Sequence, residues 1–120
     1  MPKILVVDDD ENLRIVYKKN LENRGYTVET AIHGKDALQK IPQWKPDIII
    51  LDIMMPELDG VRVLENLKEN AVLDELSVIM LTGVSEINLM KKCLDLGAKG
   101  YILKGASMEE IDRRLKMLAT

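Results

Sequence analysis

Apolar residues in this chain fall into short unbroken runs separated by stretches where they recur every three or four positions, an alternation that predicts strands and helices in turn. Lys3–Val7 (KILVV) is rich in β-branched residues and ends at Asp8-Asp9-Asp10, so it reads as a buried strand leading into an acidic loop. Glu11–Arg24 places Leu13, Val16, Tyr17 and Leu21 at helical spacing, with Asp10 as a candidate cap and Gly25 as the stop. Thr27–Ile32 alternates apolar and polar positions, the pattern of a strand nearer the sheet edge. Gly34–Ile41 predicts a short helix stopped by Pro42, and Trp44, Lys45 and Pro46 form the turn that follows. The run Ile48–Leu51 predicts the next strand. It stops at Asp52, and a loop, Ile53–Asp59, follows with Pro56 as a turn residue. Asp59-Gly60 introduces a helix, Val61–Asn70, whose apolar stripe is Val63, Leu64 and Leu67. Ser77–Leu81 is a strand ending at Thr82-Gly83, and Ser85 is a candidate N-cap for a helix over Glu86–Leu96. Ile87, Met90 and Leu94 share a face of that helix, and Gly97 stops it. Gly100–Leu103 is a last short strand ending at Lys104-Gly105. Ser107 with Glu110 matches a capping box for the final helix, which turns Met108, Ile111, Leu115 and Leu118 to the core.

Strand and helix alternating five times argue for one parallel sheet with helices on both faces, a three-layer α/β fold. Connections of this kind bring every strand's C-terminal end to one edge, where ligand sites open. Ile48–Leu51 is apolar throughout, as a central strand covered on both sides should be, and it ends abruptly in the carboxylate of Asp52. The pattern leaves strand order open. The flavodoxin-like order 2-1-3-4-5 is a common solution for five units, and it would set Asp8 and Asp9 beside Asp52.

The chain's 120 residues, 47% hydrophobic and 31% charged, suit a single domain, 1–120, around one core. A net charge of −3 disfavours direct binding to nucleic acid. The lone cysteine, Cys93, has no internal disulfide partner, and no cysteine/histidine cluster marks a zinc site. The N-terminal apolar run is too short for a signal peptide or a membrane span, so a cytoplasmic protein without membrane association is expected.

Four of the five predicted strands end in a residue with chemistry: Asp8-Asp9, Asp52, Thr82 and Lys104. Alone, each has an ordinary reading as a strand's first solvated residue, a turn hydroxyl or a surface lysine. Together at one edge they complement one another. Clustered carboxylates repel, so Asp8, Asp9 and Asp52 need raised pKa values or a bound cation. Hard oxygen ligands suit Mg²⁺, which takes one or two protein carboxylates plus waters and a phosphate oxygen. With that charge offset, Asp52 is suited to attack phosphorus and become an aspartyl phosphate. Lys104 and the Thr82 hydroxyl suit two phosphoryl oxygens.

The motifs KILVVDDD, PDIIILDIMMPELDG, VIMLTG and GAKGYILK make the chain resemble, over nearly its whole length, the receiver domain of bacterial two-component response regulators, chemotaxis receivers among them. The resemblance implies the order 2-1-3-4-5 and a phosphoacceptor switch rather than an enzyme with separate substrate turnover. It implies that Asp52 accepts a phosphoryl group from a phosphohistidine on a sensor histidine kinase or a histidine phosphotransfer protein. Asp9 and Asp52 would ligate Mg²⁺, with Asp8 acting mainly through water and the main-chain carbonyl of Met54 completing the set. Thr82 and Lys104 would contact the phosphoryl group, and Tyr101 would change rotamer on activation. A downstream protein would dock on the face of helix four, strand five and helix five, with the domain a monomer or a phosphorylation-dependent dimer. The family usually has proline after this lysine, often through a cis peptide, and here Gly105 stands there. A trans peptide is expected, with Lys104 still reaching the site. Gly105→Pro is expected to alter loop dynamics without abolishing phosphoryl uptake.

His33 reads as a turn residue, Cys93 as inert packing, Met54 and Met55 as loop packing, and Lys91, Lys92, Arg113 and Arg114 as a solvated charged face. Met54 borders the expected acceptor and is placed to influence attack by water. A phosphatase of the haloacid dehalogenase type is the chief rival, but such enzymes carry a second Asp two positions after the nucleophile, where this chain has Met54. A phosphorylation-independent interaction module would not need the intact set of Asp8, Asp9, Asp52, Thr82 and Lys104. A flavin or dinucleotide module is disfavoured because the first strand leads into DDD rather than a glycine-rich loop.

Overall fold

A computed structural model describes residues 2–55 and 58–119; Pro56, expected in a turn, lies outside them. The strands are β1 (Lys3–Val7), β2 (Thr27–Ala31), β3 (Ile48–Asp52), β4 (Ser77–Thr82) and β5 (Gly100–Leu103), all parallel in the order β2-β1-β3-β4-β5. The helices are α1 (Glu11–Asn23), α2 (Gly34–Trp44), α3 (Gly60–Glu69), α4 (Met90–Leu96) and α5 (Met108–Ala119). Thr27–Ala31 lies at one sheet edge, as its alternating pattern predicts.

Strand periodicity divides the interior into two layers. Leu5, Val7, Ile49, Leu51, Val78 and Met80 face one way and pack with α2, α3 and α4. Ile4, Val6, Ile48, Ile50, Ile79 and Leu81 face the other and pack with Tyr17 and Leu21 of α1 and Ile111 and Leu115 of α5. Burying each large aliphatic side chain contributes about 1.5–3 kcal/mol, so both layers are needed to order a chain of this size. The β1–β3 register pairs Val7 with Leu51. The residues that follow, Asp8 and Asp52, are thereby brought to the same edge.

The helix starts follow from side-chain caps. Asp10 accepts from the N–H groups of Asn12 at 2.9 Å and Leu13 at 3.3 Å, and Asp59 accepts from that of Arg62 at 2.9 Å. His33, expected as a turn residue, caps α2 through Nδ1, which accepts from the Asp36 N–H at 3.1 Å. Ser107 Oγ accepts from the Glu110 N–H at 3.2 Å, while the Glu110 carboxylate turns to Arg113 and Arg114. In the second turn of α5, Asp112 is nearly buried beneath Tyr26, Arg24 and Lys116, which ties the helix to the end of α1.

Four expectations need correction. Pro42 does not stop α2, which continues to Trp44; a proline this close to a helix end removes one backbone bond, and Lys45 in the left-handed region closes the helix, its N–H donating to Ile41 O at 2.9 Å. Ser85 does not cap a helix, because Val84–Leu89 is 3₁₀ and α4 begins only at Met90. The stretch Glu86–Leu96 is therefore not one continuous α-helical face. Ile87 and Leu94 are each 43% exposed, and Met90 and Cys93 face inward instead. Val16 likewise faces solvent, since Tyr17 and Leu21 occupy the contact with the sheet.

Gly60, read from sequence as a turn residue, opens α3 at a point of close backbone approach. A Cβ there would lie 2.3 Å from the Asp52 carbonyl oxygen and 2.9 Å from Ile53 Cα, while the Gly60 N–H donates to Ile53 O at 2.8 Å. Gly60→Ala is therefore expected to lose roughly 2–4 kcal/mol of stability in urea denaturation, since backbone must move to admit the methyl. A loss below about 1 kcal/mol would show that the loop yields freely.

Candidate functional site

Asp8, Asp9 and Asp52 each present a carboxylate oxygen, and these atoms lie within 4.8 Å of one another. Asp8 and Asp52 are fully buried, whereas Asp9 is exposed. Backbone groups hold one side of each buried carboxylate: Asp8 Oδ1 accepts from the Asp10 N–H at 2.8 Å, and Asp52 Oδ1 accepts from the Met54 N–H at 3.3 Å. The remaining oxygens, Asp8 Oδ2 and Asp52 Oδ2, are buried without a hydrogen-bond partner. Unpaired buried carboxylate oxygens are costly. A hard cation is the ligand that suits such a pair, so the donor set fits a divalent metal.

Lys104 reaches across from the end of β5. Its Nζ lies 3.2 Å from Asp52 Oδ1 and 3.9 Å from Asp8 Oδ2. Burial disfavours that ammonium, but the two carboxylates outweigh burial and raise its pKa. Asp52 is pushed up to about 7, first by burial and then by the charge of Asp8, with Lys104 pulling the other way. Burial raises Asp8 as well. Cys93 lies buried under the sheet, and burial raises its thiol pKa, in keeping with inert packing.

Lys104-Gly105 is joined by a trans peptide, there being no cis bond among the described residues. Gly105 has φ +94°, and the Lys104 N–H donates to Thr82 O at 2.8 Å, so the loop turns on a backbone conformation open to glycine. Thr82 is buried at the end of β4, its hydroxyl donating to Gly83 O at 2.9 Å. Tyr101 stands apart from this group. It pairs with Met80 in the sheet, is partly buried against the core, and has the Arg114 guanidinium 5.4 Å from its ring centre.

The fold thus gathers Asp8, Asp9, Asp52 and Lys104 within ion-pair or ligand distance, with Met54 and Thr82 beside them and Tyr101 farther along β5. Two neighbours carry no sequence signal of their own. Arg14 Nη1 donates to the Asp8 carbonyl at 2.8 Å, and Glu86 acts on Lys104. The glycine after Thr82 is the one hint, since it leaves room for the Glu86 side chain.

Residues 4–116 match the response regulator receiver domain family. The chain belongs to that family. It is 40% identical over 116 residues to the alkaline phosphatase synthesis transcriptional regulatory protein PhoP of Bacillus subtilis, covering 97% of this chain and 48% of that protein. Response regulator MprA of Mycobacterium ulcerans is 39% identical, with 97% and 49% covered. The receiver therefore spans about half the length of these relatives. Among solved structures, Vibrio cholerae chemotaxis protein CheY4 superposes with a TM-score of 0.91 at 29% identity, covering 98% of both chains. The Francisella response regulator 1452 receiver domain gives 0.89 at 32% identity, covering 98% of this chain and 96% of that one.

The receiver's buried acid has a defined pH signature. Asp52 has a pKa near 7 when folded, against 3.8 ordinarily. Between these values the folded chain holds a proton that the unfolded chain releases, so stability falls as pH rises through the window. With a chelator present, Asp52→Asn is expected to exceed the parent in stability at high pH by on the order of 2 kcal/mol, and the gap should close toward the acid end. A pH-independent gap in denaturation curves would contradict this. Gly105→Pro forces φ away from +94° and is expected to cost about 1–3 kcal/mol in the same assay.

Proposed function

We propose that this receiver is a phosphoacceptor switch in which Asp52 takes a phosphoryl group from the phosphohistidine of a sensor histidine kinase or phosphotransfer protein. The observation that carries this reading is the pair of buried oxygens without hydrogen-bond partners, Asp8 Oδ2 and Asp52 Oδ2, on two carboxylates that the Lys104 ammonium reaches at Asp8 Oδ2 and Asp52 Oδ1. Asp9 and Asp52, the Met54 carbonyl, and Asp8 through water are the groups that would hold Mg²⁺. When bound, the metal supplies charge neutralisation at the carboxylates and the phosphoryl oxygens.

The residues then divide the work. An Asp52 oxygen forms the new bond to phosphorus as the bond from phosphorus to the histidine nitrogen breaks, and that nitrogen keeps the electron pair. Lys104 exchanges its contact with Asp52 for a phosphoryl oxygen, offsetting charge where it gathers. The Thr82 hydroxyl leaves Gly83 O for a second oxygen, and Tyr101 fills the space so opened. Phosphorylation then shifts the population toward a form that binds a downstream protein on the face of α4, β5 and α5. Ile87, Leu94 and Leu103 are exposed there, each by 40% or slightly more. The domain acts in the cytoplasm, as a monomer or as a dimer formed on phosphorylation. No helix among the described residues is long and apolar enough to cross a membrane.

Incubation with acetyl phosphate and Mg²⁺ is expected to add one phosphoryl group by mass spectrometry, and Asp52→Asn to abolish the addition. Uptake by that variant would overturn the assignment. The receiver assists its own phosphorylation and dephosphorylation but turns over no separate substrate, so p-nitrophenyl phosphate should remain intact. Turnover at enzyme-like rates would favour a phosphatase instead.

A further inference from the structure

The loop after β4 places a fourth acid at the site. Gly83 O accepts both the Thr82 hydroxyl at 2.9 Å and the Glu86 N–H at 3.2 Å, the latter closing the first turn of the 3₁₀ segment Val84–Leu89. That turn folds the Glu86 side chain back over Gly83. A Cβ on Gly83 would lie 3.0 Å from Glu86 Oε2 and 3.6 Å from Cδ, so the carboxylate lies in close contact with the Gly83 Cα. The Ser85 hydroxyl donates to Oε2 and steadies it there. Glu86 is half-buried, and its charge reaches Lys104, adding to the pull of Asp52 and Asp8.

This acid differs from the other three in one respect. Asp8, Asp9 and Asp52 form the cluster suited to a cation, which would offset their charge, and Glu86 stands outside it. An incoming phosphodonor is a dianion, so an uncompensated carboxylate at the rim opposes its approach and competes with it for Lys104. We propose that Glu86, seated over Gly83, is a built-in electrostatic brake on phosphoryl uptake at Asp52. The inference rests on Asp52 being the phosphoacceptor. With acetyl phosphate, an Asp52 oxygen bonds to phosphorus while the bond from phosphorus to the acetate oxygen breaks. The Asp52 carboxylate and the donor dianion become an aspartyl phosphate dianion and an acetate anion, and the total charge is unchanged. The brake acts on the gathering of that charge, chiefly before acetate leaves.

A first-turn acid also steadies a helix start, and salt separates the two roles. The screening length falls from about 10 Å at 0.1 M to about 3 Å at 1 M ionic strength, which removes action at a distance and leaves packing in place. At saturating Mg²⁺ and low salt, Glu86→Gln is expected to take up phosphoryl from acetyl phosphate roughly fivefold faster than the parent, with the two converging near 1 M salt. A parent-like rate for Glu86→Gln at low salt, or a gain that persists in high salt, would overturn the brake. The salt series on Glu86→Gln decides. Uptake that survives Asp52→Asn would remove the underlying reading, whereas unchanged Glu86→Gln kinetics in a protein that needs Asp52 would remove only the brake.

Discussion

Two carboxylates buried side by side, Asp8 and Asp52, face one lysine, and most of the architecture around the sheet edge serves to hold that arrangement. Removing a carboxylate from water without full pairing costs several kcal/mol, a large part of the 5–15 kcal/mol that stabilises a typical domain. Lys104 offsets part of the cost at 3.2 Å from Asp52, and single backbone N–H groups offset a little more. Two oxygens still lack partners. The fold bears this deficit because two apolar layers pack the same strands on both faces. The deficit in turn gives the site affinity for positive charge.

Placement of the charged groups depends on backbone more than on side chains. The parallel register sets Asp8 and Asp52 in adjacent strands, and the short loops beyond them run through glycines. Gly60 lets α3 begin against the Asp52 carbonyl, and Gly105 turns the chain at φ +94° so that Lys104 points across the site. Proline, which the family usually has after this lysine, holds φ near −65° and would send the chain along another path. Gly105 leaves the Lys104 ammonium beside the Asp52 carboxylate by a different local geometry.

Much of this was legible in the sequence because both signals involved are short-range. Apolar runs ending in Asp8, Asp52, Thr82 and Lys104 marked the strands and their chemistry at once, and parallel connectivity brought those ends together. What escaped depended on geometry that patterns of apolar residues do not encode. Ser85 looked like a cap, but the chain enters a 3₁₀ segment there, and Ile87 within it faces solvent. Pro42 looked like a stop, but it falls where a helix can lose a backbone bond. Gly60 looked like a turn residue, and only coordinates show the carbonyl that excludes a methyl there. Glu86 left only a faint trace, the glycine at position 83 against which its side chain lies.

The contacts at the site differ in how easily they can be exchanged, and that difference separates scaffold from moving part. Asp8 and Asp52 are fixed by main-chain donors within two residues and by complete burial, so they cannot move without breaking the strand ends. The Thr82 hydroxyl is held differently. Its acceptor, Gly83 O, also receives the Glu86 N–H, so the hydroxyl can turn away without leaving that carbonyl unpaired. Lys104 is partly solvated and keeps Asp8 as a second anionic partner if Asp52 becomes occupied. A phosphoryl group at Asp52 would therefore meet two groups free to reorganise around it and two that are not. The cost of reorganisation is lowest along β4 and the 3₁₀ turn into α4, which is the direction in which a change at the site would spread.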